Sequence, residues 1–167
     1  MEQRPPIYLY TDGASSGNPG PGGYGVVLVC GQHRLELSGG FAMTTNNRME
    51  LLAVIEGLRA IKWENADVRL YSDSSYVVNA INKGWLLNWQ RRGWSKVKNP
   101  DLWQRLVPLL AKHRVTFHWL KGHAGHPENE RCDRLAVAAG AGAVAAGKEL
   151  PVDTGYVEGM DDGPSLI

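Results

Sequence analysis

Cysteine is nearly absent from this 167-residue chain: Cys30 and Cys132 are the only two, one in an apolar run and one in a charged helical stretch. They lack the paired spacing of a zinc knuckle or a redox motif, so a disulfide framework is excluded and two reduced thiols are expected. No apolar run approaches the roughly 20 residues of a membrane span. The N-terminal MEQRPPIYLYTDG has no basic region followed by a long apolar segment and a small-residue cleavage site. These absences set the expectation of a soluble, cytoplasmic protein. Charge of one sign is scarce as well, with a net charge of only +1, which by itself offers little to a polyanion. The average conceals a gradient. Residues 151–167 hold four acids (Asp153, Glu158, Asp161 and Asp162) and no Lys or Arg, leaving 18 basic against 13 acidic residues, or +5, in residues 1–150.

What is present is ordinary globular composition, 43% hydrophobic and 21% charged, in a length that suits one domain. The expected organisation is a single domain over 1–150 and an acidic C-terminal tail over 151–167, in part disordered. Ile7–Thr11, Tyr24–Cys30 and Arg34–Phe41 read as three consecutive strands, the last two joined through Gly31. From Asn46 the period changes to helical, with Leu51, Val54, Ile55, Leu58 and Ile61 on one stripe and Met49 and Leu52 off it, which implies a second contact surface. Val68–Ser72 is a fourth strand, followed by helical SSYVVNAIN and WLLNWQRR, and Val115–Leu120 is a fifth. Asn99 and Pro100 read as the N-cap and first residue of a helix on the stripe Trp103, Leu106, Val107 and Leu110. Pro108 interrupts that pattern, at a cost of about 3 kcal/mol if uncompensated. A last helix starts near Pro127 with Cys132, Leu135, Ala136 and Ala139 on one face, and AAGAGAVAAG then frays into the tail. The order predicts an α/β fold: a mixed sheet of an antiparallel meander plus parallel strands, covered by helices on both faces.

Two strands end alike, Asp12 after IYLYT and Asp73 after RLYS. As parallel neighbours they bring both carboxylates to one edge of the sheet. Glu50 borders the apolar stripe of its helix, about 40° around from Val54, and Asp133 sits beside Cys132 in the last helix. Taken singly, each acid reads as a turn, cap or surface residue. Together, four acids near the core repel one another unless divalent cations neutralise them. Oxygen-only ligands suit Mg²⁺ or Mn²⁺, and two such ions about 3.5–4 Å apart clamp the attacking and leaving oxygens of a phosphodiester. The stretch TDGASSGNPGPGGYG also contains a G-x-G-x-x-G at Gly20, Gly22 and Gly25. A strand-like VVLV follows, where a dinucleotide fingerprint needs a helix, and no G-K-[ST] is present, so no nucleotide cofactor is expected.

TDGASSGNPGPGGYG, TTNNRMELLAVIEGL, YSDSSYV and WLKGHAGHPENERCDRLA resemble, in order, the signature segments of bacterial type 1 ribonucleases H, and the similarity spans about residues 6–157. The resemblance implies a ribonuclease H-like fold, a five-stranded mixed sheet of three antiparallel and two parallel strands. It implies a monomer that cleaves the RNA strand of RNA/DNA hybrids with Mg²⁺, two ions per site, or Mn²⁺ as substitute, leaving 5′-phosphate and 3′-hydroxyl ends. By position, Asp12, Glu50, Asp73 and Asp133 match the metal-binding catalytic acids, with Asp12 bridging the ions. His123 matches a mobile histidine that handles protons or helps product leave. A zinc site on His123 and His126 is the weaker alternative, since no H-E-x-x-H is present and Pro127 breaks a shared helical face.

The same resemblance places Asn18, Asn46 and Asn47 at hybrid-contacting positions, and Thr45 with Asn18 at a DNA-strand phosphate. Helix capping is the alternative for the Asn46–Asn47 pair. Ser75 stands where relatives carry a longer amide, and Met43 where some carry a basic residue. KGWLLNWQRRGWSKVK, residues 83–98, has five basic residues, no acid and three tryptophans, and matches the basic protrusion that holds the duplex, with a shortened connection between Trp94 and Asn99. Arg91 and Arg92 there attract phosphate, while Trp85 and Trp94 pack on sugars or anchor the helix. The glycine-rich loop is expected to be a turn that lets backbone approach the hybrid.

Overall fold

Alternation of buried and half-buried side chains in IYLYTDGAS builds a long first strand, β1 (Ile7–Ser15), which pairs antiparallel with β2 (Gly20–Cys30), itself antiparallel to β3 (His33–Thr44). The chain is described by a computed structural model over residues 4–122 and 125–156. On its other edge β1 pairs in parallel with β4 (Asp67–Ser72), which pairs in parallel with β5 (Arg114–Trp119), so the order across the sheet is β3-β2-β1-β4-β5. The expected five-stranded mixed sheet is what forms.

Helices follow as α1 (Asn46–Arg59), α2 (Ser75–Asn82), α3 (Trp85–Arg91), α4 (Pro100–Lys112), α5 (Pro127–Ala139) and α6 (Ala141–Ala145). α1 is buried on its stripe and beyond it: Leu51, Val54, Ile55 and Leu58 lie in the core, and Met49 and Leu52 are buried too. Helices cover both faces of the sheet, and β2 shows how. A Cβ on Gly22 would meet Met49 of α1 at 3.2 Å, whereas one on Gly25 would meet the Leu135 Cβ of α5 at 2.8 Å and the backbone of Cys132 more closely still. Even positions of the strand therefore face α1 and odd ones α5.

This packing corrects the expected glycine turn. Gly20, Gly22 and Gly25 lie inside β2, and the reversal between β1 and β2 falls at residues 16–19, closed by the Ser16 N–H donating to the Pro21 carbonyl at 2.7 Å. Gly22 and Gly25 lie where α1 and α5 approach the strand, and Gly20 where a Cβ would collide with the Ser16 carbonyl of the reversal. The tail differs as well. AAGAGAVAAG does not fray: it ends α5 and forms α6, with Ala143 buried. The Ala42 N–H donates to the Pro151 carbonyl at 3.0 Å, and packed chain reaches Tyr156, where the description ends.

Asn99 and Pro100 stand at the N-cap and first position of α4, as expected, but Asn99 lies in the left-handed region (φ 55°) and its side chain makes no capping bond; its buried amide accepts instead from Arg48 at 3.2 Å. α4 runs through Pro108 to Lys112 without shortening. The proline lies on the exposed side, where its missing donor meets solvent, while Leu102, Trp103 and Leu106 hold the helix to the core.

Candidate active site

Strand register makes the first contact between acids. Thr11 lies opposite Ser72 as the last pair of the parallel β1–β4 ladder, so Asp12 and Asp73 follow side by side where that pairing ends. Neither acid is consumed by local structure. β1 continues to Ser15 instead of turning at Asp12–Gly13, and Ser74, not Asp73, caps α2, its hydroxyl accepting from the Val77 N–H at 3.2 Å.

α1 delivers Glu50 to the same place. Its start is set by Thr45, which caps the helix by accepting from the Arg48 N–H at 3.3 Å. Its closeness is allowed by Gly13: a Cβ there would lie 2.8 Å from that of Met49 and collide with the Met49–Glu50 backbone. The Gly13 N–H donates to the Glu50 carboxylate and to Asp12 Oδ1, the latter at 2.9 Å. One carboxylate oxygen from each of Asp12, Glu50 and Asp73 then lies within 4.8 Å of the others. Asp133, from α5, lines the same cleft of about 440 Å³ but does not join that mutual contact.

Such crowding opposes charge. Asp12 is 6% exposed, and burial first, then the neighbouring Asp73 and Asp133, push its pKa up to about 8 against the lowering effect of its bonds with Glu50 and Gly13. Glu50 is raised well above the usual carboxylate range, by burial first and then by Asp12 and Asp73. Hard oxygen donors with no protein cation among them fit Mg²⁺ or Mn²⁺ better than zinc, which prefers nitrogen and sulfur.

Most other expected site residues gather here. Asn46, Asn47 and Ser75 line the cleft. Asn18 reaches it from the β1–β2 reversal, its side-chain oxygen accepting from the Asn46 N–H at 3.0 Å. Capping of α1 thus belongs to Thr45, with Asn18 as a second acceptor, and not to Asn46. Thr45 is fully buried, so its hydroxyl positions the helix and is not open to a phosphate. Met43 is exposed on β3. In the basic segment the tryptophans are anchors: Trp89 is fully buried and meets Trp103 edge-on at 5.2 Å, Trp85 contacts Trp89, and Trp94 packs against the core half-buried. Arg91 is exposed, while Arg92 donates to the Ser95 carbonyl at 2.8 Å. His123 lies outside the described residues.

Sequence reasoning missed Arg48 and Asn129. Arg48 is 1% exposed on the first turn of α1, where its guanidinium donates to Asp153 at 2.7 Å and to both Asp101 oxygens at 2.7 and 2.9 Å; Asp153 also accepts from Thr44 at 2.6 Å. A charged residue between Asn47 and Met49, on a helix buried nearly all round, was the available signal. Asn129 lines the cleft one helical turn before Asp133.

Residues 4–141 match the RNase H family. A ribonuclease H of Desulforamulus reducens is 60% identical over 88% of this chain and 92% of its own length, and one of Syntrophus aciditrophicus is 56% identical over 90% and 86%. Among solved structures, a type 1 RNase H with the type 2 active-site motif superposes with a TM-score of 0.77 at 35% identity, covering 85% of this chain and 75% of that one. An RNase H1 crystallised with an RNA/DNA hybrid superposes at 0.59 and 27% identity, covering 83% of this chain and 99% of that one.

Proposed function

The chain belongs to the ribonuclease H family, endoribonucleases that cut the RNA strand of RNA/DNA hybrids, and we propose that it does so with Asp12, Glu50, Asp73 and Asp133 as the acids of a Mg²⁺ site. What carries the reading is the set of three carboxylates, one oxygen of each within 4.8 Å of the others, gathered where the parallel β1–β4 pairing ends, with two of them raised above the ordinary carboxylate range. Asp12, close to both Glu50 and Asp73, would be shared between two ions, and Mn²⁺ would be the natural substitute. Bound cations would polarise water and offset charge on the oxygens of the scissile phosphate; water adding to phosphorus as the bond to the 3′-oxygen breaks, that oxygen taking up a proton, leaves 5′-phosphate and 3′-hydroxyl ends.

The protein's own part is placement and proton release. Because burial and crowding raise Asp12 and Glu50 above the ordinary carboxylate range, a cation would compete with protons there, and cation affinity is expected to rise with pH. Asn46, Asn47, Asn18 and Ser75 offer donors and acceptors to sugar hydroxyls and phosphates, which is how a strand with 2′-hydroxyls is told from one without. Arg91 and Arg92 attract the backbone of the duplex, and Trp85 and Trp94 stiffen the segment that carries them. His123, with glycines on both sides at Gly122 and Gly125, moves protons or helps product leave. We further read the protein as a cytoplasmic monomer, consistent with its scarce cysteine and with no described helix being long and apolar enough to cross a membrane. End-labelled RNA/DNA hybrid, duplex RNA and duplex DNA, each with Mg²⁺ or EDTA, test the reading: cleavage is expected only of the hybrid's RNA strand and only with Mg²⁺. Cutting of duplex DNA, or cutting in EDTA, contradicts it.

A further inference from the structure

Asn129 lies on α5 four residues before Asp133, so the two side chains share one helix face, and both line the cleft of the acids. It is 5% exposed, and its side-chain oxygen is buried without a hydrogen-bond partner among the described residues. Asn99, just as buried, shows the ordinary outcome: its oxygen accepts from Arg48 and its nitrogen donates to the Tyr76 hydroxyl. An amide left unpaired costs stability that an apolar residue of similar size would not. The polarity of Asn129 is therefore not explained by the fold.

The contents of the cleft explain it better. Donors line its walls on Asn46, Asn47, Ser74, Ser75 and Tyr76, yet the Asn129 oxygen takes a hydrogen bond from none of them. Donors that do enter are the waters of a cation's hydration shell, since Mg²⁺ keeps several of its waters when bound. A neutral amide suits this duty, because another carboxylate would add to the repulsion already present. A half-turn about χ2 exchanges its oxygen and nitrogen in place, so the side chain turns its acceptor to the cleft without moving the helix.

We propose that Asn129 is a positioning residue of the cation site, its amide accepting a hydrogen bond from a hydration water of the cation held beside Asp133. The assignment rests on the reading that the acids bind cations. Calorimetric titration of Mg²⁺ alone into the wild type, Asn129→Ala, Asn129→Leu and Asp12→Asn tests it, with melting temperature and hybrid affinity measured in EDTA alongside. Both Asn129 variants are expected to weaken Mg²⁺ binding about tenfold, the usual scale for residues that hold a metal's ligands in place. They should leave hybrid affinity in EDTA unchanged and melt no earlier than the wild type, because no protein partner is lost. Wild-type Mg²⁺ affinity in both, with or without a lowered melting temperature, overturns the role of Asn129, provided Asp12→Asn has lost Mg²⁺ binding. Wild-type Mg²⁺ affinity in Asp12→Asn overturns the reading of the acids instead.

Discussion

Asp12 is a carboxyl group placed where its surroundings oppose its charge, and the consequence is measurable without substrate. Its folded pKa, pushed up to about 8, exceeds that of a free carboxylate, so above pH 4 the native state binds a proton that the unfolded chain has released. Its contribution to stability is whole at low pH and declines as pH rises from about 4 to about 8. In EDTA, melting temperature is therefore expected to fall over that range by more in the wild type than in Asp12→Asn, which cannot ionise there, and saturating Mg²⁺ should remove the difference in slope. Parallel pH profiles of the two proteins in EDTA would contradict the burial and crowding invoked. Asp73 was legible because the end of its strand can be read from the period, and Glu50 because its place relative to the apolar stripe follows from helical geometry; Asp12 was found beside the end of the β1–β4 pairing, although β1 itself runs on to Ser15. That Asp73 is free of capping was not legible, since Ser74 fits the same role and only backbone geometry chooses between them.

Elements bring these residues together through close approach and one buried ionic cluster. α5 rests directly on β2 because Gly23 and Gly25 carry no side chain, and Asp133 is held over the sheet as a result. Gly25→Val is expected to cost about 2–3 kcal/mol of stability as an overpacked contact, and to lower kcat as α5 shifts; denaturant unfolding and steady-state rates check the two parts. On the other face, Arg48 ties the start of α1 to Asp101 of α4 and to Asp153 of the C-terminal segment. Asp153 is held below its usual pKa: burial opposes the shift, and the bonds from Arg48 and Thr44 outweigh it. Its contribution is present above pH 4 and lost as pH falls through that lowered pKa. Asp153→Ala leaves Arg48 buried with half of its anionic partners, and a loss of about 2–4 kcal/mol is expected by chemical denaturation near pH 7. A change under about 0.5 kcal/mol, the size expected of an exposed ion pair, would show that the segment is not a tie. Neither contact could be foreseen, because Asp101 and Asp153 stand 53 and 105 residues from Arg48 and carry no local pattern. Gly25 was misread for a related reason: its spacing from Gly20 and Gly22 resembles a loop motif, while what it serves is a helix more than 100 residues away.

At the scale of the molecule, charge is distributed for a polyanion despite a net +1. The acids line the cleft, and the acid-free segment 83–98 carries five basic residues around one buried tryptophan, Trp89, and the half-buried Trp85 and Trp94. Replacing Arg91 and Arg92 together by Ala should weaken hybrid binding most at low salt and reduce the slope of log affinity against log salt by about 1–2, with kcat little changed. An unaltered slope would remove this segment from the interface. The fold as a whole was legible, because five strands and their helices follow from periodicity and the order of elements. The most direct test of the acid site is one titration: Mg²⁺-dependent cleavage of a labelled RNA/DNA hybrid by Asp12→Asn beside the wild type, with hybrid binding followed in the same samples. The expected result is a rate lowered by roughly a thousandfold or more at every Mg²⁺ concentration, with binding retained; cleavage at a rate close to wild type would contradict the account at its centre.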